Sequence, residues 1–145
     1  PDTVQLPSFS DNGDGTVSDL RTGLRWQKCS RGQSNDSACS GAVTQGTWQS
    51  NLAYCNGLTL GSHANASSWR LPNLRELNSI YFVGNSNATM EAAYFPNTPT
   101  ATIYVSSTTR ANAGNFVLHS TDGFFANNGS GAGVTNYTAR CVSTE

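Results

Sequence analysis

The sequence predicts a single domain of the α+β class, because two short helical segments come early in the chain and strand-like segments gather late. The chain has 145 residues, a length that suits one domain with a sizeable core. Ser, Thr, Asn and Gly make up 63 of those residues. Three Trp, six Phe and five Tyr nevertheless argue against disorder and favour a loop-rich globular domain.

The first 29 residues predict a small antiparallel meander. The segment Phe9–Val17 contains Asn-Gly and Asp-Gly, which supply the positive φ angles of tight hairpin turns. The same letters resemble a calcium loop, but Arg21 then stands where such a loop needs a bidentate glutamate. Because an arginine there would repel the ion, we predict a turn and no metal site.

Two short helices are predicted by their capping residues. In the segment Thr47–Gly57, the threonine can cap a helix whose apolar positions recur at helical spacing, and the glycine can end it. A second helix begins at Pro72, where Asn73 and Glu76 have the spacing of a capping box. Both helices are too short to be stable alone, so we expect them to cover a sheet.

The later part of the chain predicts long loops and strands. Residues 84–102 are rich in Asn, Thr and Pro and predict a long loop, with Tyr94 and Phe95 as an aromatic plug beneath it. Strands are predicted at three stretches, which are Ile103–Thr108, Asn115–Ser120 and Tyr137–Val142. Residues 127–133, between the last two, predict a flexible loop or wide hairpin.

The four cysteines, Cys29, Cys39, Cys55 and Cys141, predict two disulfides and an oxidising compartment. No pair has the Cys-x-x-Cys spacing typical of zinc sites. Three pairings are open. Cys29 and Cys39 flank a polar loop that they could close locally, and Cys55 and Cys141 would then join an early helix to the last strand.

Charge excludes some partners and suggests others. A net charge of −1 excludes general attraction to nucleic acid or anionic membrane, and no apolar run is long enough for a membrane span. All the charged residues in 1–20 are acidic. All those in 21–31 are basic, namely Arg21, Arg25, Lys28 and Arg31. The basic stretch could hold sulfate groups through arginine forks. Alternatively, the acidic and basic hairpins pair with each other on the surface.

The remaining arginines have different expected roles. Arg110 lies alone in a loop and either contacts ligand or is simply solvated. Arg70 and Arg140 lie beside Trp69 and Cys141, and we expect both to be structural partners of acids such as Glu76.

Several short motifs recur in the order of a known family. They are Asp11–Val17, Thr22–Gln27, Thr47–Gln49, Ala53–Asn56, Trp69–Asn73, Glu76–Leu77, Phe95–Thr98, Ser106–Thr108 and Arg140–Val142. With them the chain resembles the bacterial exported domain found at the C-terminus of the Legionella collagen-like adhesin and in many lipoproteins. The resemblance spans nearly the whole chain.

The resemblance implies a C-type-lectin-like fold, with two short helices packed on a small twisted antiparallel sheet. In that fold a cysteine on the first helix pairs with one on the last strand, which supports Cys55–Cys141. The resemblance also implies a binding face on the long loops, here 84–102 and 109–136, and a trimer that attaches to sulfated glycosaminoglycans. The calcium-binding motifs of such lectins are absent, so no metal or other cofactor is expected.

Together these observations predict a non-enzymatic adhesin domain over residues 1–145, the C-terminal part of a longer exported protein at the cell surface or outside the cell. Its expected ligands are sulfated polysaccharides, bound by a homotrimer. The predicted ligand-binding residues are Arg21, Arg25, Lys28, Arg31 and Arg110. No Gly-x-Ser-x-Gly motif points to hydrolysis. Two alternatives are a protein-recognition module with variable Asn-rich loops and a structural tip that registers a stalk trimer.

Overall fold

The computed structural model describes residues 9–82, 89–90, 93–99, 102–109, 115–119, 125–128 and 135–144. Within these ranges the chain forms two four-stranded sheets, a short strand pair and two helices, which confirms the α+β class. The elements in chain order are β1 (Phe9–Asp11), β2 (Thr16–Asp19), β3 (Leu24–Gln27), α1 (Trp48–Asn56), α2 (Leu74–Ser79), β4 (Tyr81–Phe82), β5 (Thr89–Met90), β6 (Ile103–Thr109), β7 (Asn115–His119), β8 (Phe125–Asn128), β9 (Tyr137–Thr138) and β10 (Val142–Thr144).

The first sheet contains the predicted meander. Its strand order is β1-β2-β3-β10, and every neighbouring pair is antiparallel. The turn between β1 and β2 uses Gly13 and Gly15 at φ angles of 74° and 87°, which glycine adopts without a Cβ clash. The Asn-Gly and Asp-Gly pairs therefore act as turn residues, as predicted.

Both predicted helices form, and their caps are the predicted residues. The Thr47 side chain accepts a hydrogen bond from the Ser50 amide at the start of α1. At α2, the Asn73 side chain accepts from the Glu76 amide at 2.8 Å, and the Glu76 carboxylate accepts from the Asn73 amide at 2.9 Å. This reciprocal capping box satisfies two amide groups that the first turn would otherwise leave unpaired.

The second sheet corrects the predicted strand Tyr137–Val142. Its strand order is β8-β7-β6-β9, with β9 parallel to β6. The predicted strand is in fact two short ones, because β9 lies in this sheet and β10 lies in the first. Between them, the Ala139 and Cys141 carbonyls accept hydrogen bonds from the amides of Arg31 and Gln27. The backbone thus crosses from one sheet to the other while its polar groups stay paired.

Two other strand predictions were incomplete. Strand β8 covers Phe125–Asn128 and therefore includes the start of the stretch predicted as a loop or hairpin. Strands β4 and β5 pair with each other, and β5 lies within the predicted long loop. The rest of the two predicted binding loops, 84–102 and 109–136, falls largely outside the described residues.

Two apolar clusters hold the layers together. The first lies between the first sheet and α2, and its buried members are Phe9, Val17, Trp26, Leu77, Ile80, Phe95, Tyr104 and Val142. Phe95 is fully buried and its ring meets that of Phe9 edge-on at 5.3 Å, which confirms the predicted plug. The second cluster packs α1 against the second sheet around Trp69, Leu71, Val105 and Tyr137.

Both predicted disulfides are present, and no described cysteine is free. Cys29–Cys39 closes the local polar loop, with a Cα–Cα distance of 5.2 Å. Cys55–Cys141 joins α1 to the segment just before β10, with a Cα–Cα distance of 5.5 Å. The second bridge lies inside the second apolar cluster, so it links the helix to the place where the chain changes sheets.

Candidate anion-binding surface

The predicted cation Lys28 is engaged in an ion pair across the first hairpin. Its Nζ lies 2.6 Å from Asp11 Oδ2, and only 12% of the lysine side chain is exposed. The hydrogen bond from Lys28 holds the pKa of Asp11 below its ordinary value. The acidic and basic hairpins therefore pair at this position, which was the alternative role considered for the basic stretch.

Arg25 and Arg31 are also half-buried among partners of their own. Arg31 Nη1 donates to Asn51 Oδ1 at 3.0 Å and to Ser50 Oγ at 3.2 Å, and its guanidinium lies 5.2 Å from the centre of the Tyr54 ring. Arg25 Nη1 lies 3.4 Å from Thr16 Oγ1. Both side chains thus connect strands or loops to their neighbours instead of extending into solvent.

Arg21 is different, because it lies exposed in the turn between β2 and β3. Its Nε is 3.7 Å from Asp19 Oδ1, and 39% of its side chain is accessible. Its Nη2 donates a hydrogen bond of 3.4 Å to the carbonyl of Ser79, which is the last residue of α2. The turn between β2 and β3 therefore rests against the end of the second helix. Arg110, the fifth predicted residue, lies outside the described residues, directly after the end of β6.

Arg75 is a cation that was not among the predicted binding residues. It lies on α2, is exposed, and makes no hydrogen bond or ion pair with any described residue. Arg75 and Ser79 are four residues apart and so lie on the same side of the helix, about 6 Å apart along its axis. Since Arg21 contacts Ser79, the structure brings the two arginines to the same helix, one towards each end.

An open groove of about 790 Å³ runs beside this helix. Its lining residues are Asn73, Leu74, Arg75, Asn78 and Thr108. None of these carries a negative charge, so Arg75 sets the sign of the groove. Two backbone amides of the first turn are already used, because Leu74 donates to Thr108 Oγ1 at 2.9 Å and Glu76 donates to Asn73 Oδ1 at 2.8 Å. The groove therefore offers side chains, not the end of a helix, to a ligand.

A second cleft, of about 410 Å³, lies at the turn between β1 and β2, and its charge is opposite in sign to that of the groove beside α2. It is lined by Asp11, Gly13, Asp14, Gly15, Lys28, Asn35, Asp36 and Ser37. Three carboxylates and one ammonium give it a net negative charge. Asp14 accepts hydrogen bonds from Thr16 and Ser62, and although burial opposes them, these bonds lower the pKa of Asp14 to about 2. The charges of this cleft are therefore opposite in sign to that of Arg75 in the groove beside α2.

The pKa of Asp14 leads to a stability prediction. We expect Asp14→Asn to lower the free energy of unfolding at pH 7 by about 1 kcal/mol, a value reduced for solvent screening because the group is partly exposed. Because the folded pKa lies below the unfolded value of 3.8, this stabilisation is present above about pH 4 and is lost as the pH falls towards 2. Urea unfolding of both proteins between pH 2 and 7 tests it. A gap that stays constant with pH would contradict the assignment.

Arg70 and Arg140 are structural, but only Arg70 pairs with an acid as predicted. Arg70 forms two hydrogen bonds with the Glu76 carboxylate, at 2.6 and 2.7 Å. The expectation for Arg140 was wrong. It is 1% exposed and has no described acid beside it; its guanidinium donates to oxygen atoms of Gln27, Lys28, Ser30 and Thr98. Burial lowers the pKa of this arginine.

The fold and these surfaces define a small α+β domain that is stabilised by two disulfides and presents a basic groove. The chain belongs to the Lcl C-terminal domain family, that of the Legionella collagen-like protein, whose family model matches residues 15–143. No curated protein and no solved structure matches the chain. The family is secreted or surface-associated, and membership suggests an adhesin-like domain.

In the described part of the chain, no group of three or more His, Cys, Asp or Glu side chains has an arrangement that could hold a metal ion. None of the helices in that part has the length and apolar character to cross a membrane.

Proposed function

We propose that this domain is a non-enzymatic adhesin module that binds sulfated glycosaminoglycan-like polymers at the cell surface or outside the cell. The observation that carries the proposal is the placement of Arg75 on α2, in a groove whose described lining residues include no carboxylate, and of Arg21 against the last residue of the same helix. Both guanidinium groups are accessible, and a guanidinium presents a planar fork that matches two oxygens of one sulfate group. Arg110 lies outside the described residues, so its part in binding stays a prediction from the sequence.

The proposal narrows the predicted set of binding residues. Arg25, Lys28 and Arg31 have partners inside the domain, so a sulfate would have to compete with hydrogen bonds that are already made. The Arg75 side chain has no such partner among the described residues, and Arg21 has a 3.7 Å ion pair with Asp19 and a 3.4 Å hydrogen bond to Ser79, both in an exposed turn. A weak site of this kind gains from repetition, because a repeating polyanion offers many equivalent sulfates and linked copies of the domain bind with avidity.

Three further properties belong to the proposal. Family membership supports a homotrimer, which would gather three such surfaces on one particle. The Cys55–Cys141 bridge, the two short helices and the pairing of β10 with β3 support a C-type-lectin-like fold. The two disulfides support export of the chain to an oxidising compartment.

Heparin binding at two ionic strengths tests the function. We expect Arg21→Ala and Arg75→Ala each to weaken binding about 3- to 10-fold, which corresponds to one exposed charge-assisted contact. We expect wild-type affinity to fall steeply between about 50 and 200 mM salt, because sulfate contacts are screened. Arg31→Gln is the matched control, since it removes one charge at a position where the side chain is engaged with α1.

Affinity that is independent of salt would contradict the electrostatic mechanism. Equal loss for Arg31→Gln and Arg75→Ala would contradict the location, because net charge and not the α2 surface would then govern binding. Unfolding curves for each variant separate lost binding from lost folding. The mass of the particle in solution, measured on the same samples, tests the trimer.

A further inference from the structure

Arg140 carries a buried positive charge that no described carboxylate neutralises. The residue is 1% exposed, lies between β9 and β10, and makes no ion pair with any described residue. Burial lowers its pKa, as it does for any cation that is taken out of water. The rings of Phe95 and Tyr104 lie 4.7 and 5.8 Å from the guanidinium, but contacts of this kind offset only a small part of the cost of burying a charge.

The polar groups around Arg140 also include more donors than acceptors. The two terminal nitrogens of the guanidinium donate to oxygens of Gln27, Lys28, Ser30 and Thr98. The buried Nε–H, however, has no acceptor among the described residues. Ser30 Oγ and the Tyr104 hydroxyl lie 2.7 Å apart, and their contact uses only one of their two protons. One buried N–H and one buried O–H therefore lack acceptors close to the same charge.

We infer that a small monovalent anion, with chloride as the natural occupant, binds inside the core against Arg140 Nε and the Ser30–Tyr104 hydroxyl pair. A halide supplies what these groups lack, because it is negatively charged and accepts several hydrogen bonds without donating any. A water molecule accepts the same two hydrogen bonds but brings two more O–H donors and no charge. A sulfate on a polymer does not reach a side chain that is 1% exposed, so this site is separate from the surface beside α2.

The anion would stabilise a junction between three parts of the chain. Arg140 donates to the carbonyl of Gln27 at the end of β3, to Ser30 in the Cys29–Cys39 loop and to Thr98 in the segment that follows Phe95. An ion that neutralises Arg140 strengthens all of these contacts in the folded state and none in the unfolded chain. The stability of the domain therefore rises with the concentration of the anion.

Thermal unfolding in sodium bromide and in sodium gluconate at equal ionic strength tests the inference. We expect bromide to raise the melting temperature of the wild type by about 3–6 °C, because bromide binds the folded chain and gluconate is too large for the core. Tyr104→Phe removes a donor from the site and is expected to lose much of this rise. Tyr137→Phe is the matched control, since it removes the hydroxyl of another fully buried tyrosine, in the second apolar cluster, and should keep the rise.

Crystals of the wild type grown in bromide provide a second measurement that does not depend on the folding of a variant. We expect an anomalous difference peak within hydrogen-bonding distance of Arg140 Nε. No peak at that position overturns the inference, even where bromide binds elsewhere on the molecule. Equal melting temperatures in the two salts overturn it too, as does a rise that Tyr104→Phe keeps in full. None of these outcomes involves a polymer, so the proposed function is tested separately.

Discussion

Replacing both cysteines of the Cys55–Cys141 bridge by alanine is expected to lower the free energy of unfolding by about 4–5 kcal/mol. The bridge joins residues 86 positions apart, and a loop of that length restricts the unfolded chain strongly in the chain-entropy account. Both sulfur-bearing residues are fully buried in the second apolar cluster, so their removal also disturbs packing. Urea unfolding monitored by circular dichroism measures the change.

The Cys29–Cys39 bridge is the matched control for this prediction. Cys29 and Cys39 are only 10 positions apart, so the same double replacement there is expected to cost about 3 kcal/mol or less. The polymer-binding groove should survive that change, because the Cys29–Cys39 loop does not line it. Equal losses for the two pairs would show that loop length does not govern the contribution of these bridges.

Replacing Arg140 by methionine is expected to destabilise the domain by about 3–5 kcal/mol. The side chain is fully enclosed and donates to the Gln27 carbonyl at 3.1 Å and to Ser30 Oγ at 2.9 Å. Its guanidinium also lies 4.7 Å from the centre of the Phe95 ring. Methionine fills similar space but leaves the buried oxygens without donors, and an unpaired buried acceptor costs about 1–3 kcal/mol.

Two comparisons make the Arg140 prediction specific. Arg140→Lys keeps a charge but lacks the planar fork that reaches several acceptors, so we expect it to recover less than half of the loss. Arg70→Met removes an arginine whose side chain is 43% exposed, and it should cost about 1 kcal/mol. A stable Arg140→Met protein would mean that packing alone, and not the hydrogen bonds, maintains this part of the core.

The two charged regions of the molecule suggest how a polymer would be oriented on it. The acidic cleft around Asp11, Asp14 and Asp36 lies at the end of the first hairpin where β1 and β2 are joined. Arg21 lies at the opposite end, in the turn between β2 and β3. Under the proposed function, a polyanion that binds along α2 therefore avoids the carboxylates at the β1–β2 turn.

Much of the fold could be predicted because the signals were local. The caps at Thr47 and Asn73 act on amides within three residues, so the letters alone predict where both helices begin. The glycines of the first turn and the Arg70–Glu76 pair are local in the same sense. The polar loop between Cys29 and Cys39 suggested a local bridge, which left Cys55 to pair with Cys141, and the resemblance to a family supported this second pairing independently.

The tertiary structure alone decided which cations are available to a ligand. Arg25, Lys28 and Arg31 form one basic stretch in the sequence, yet each meets a partner brought by another part of the chain. Arg75 was overlooked because its freedom depends on what lies beside it in space. The partners of Arg140 and the division of the predicted strand Tyr137–Val142 between two sheets also depend on residues that are distant in the sequence. Residues that are close together in the sequence determine helix caps and turns. The burial of a side chain and its pairing with a distant residue depend on how the sheets and helices pack.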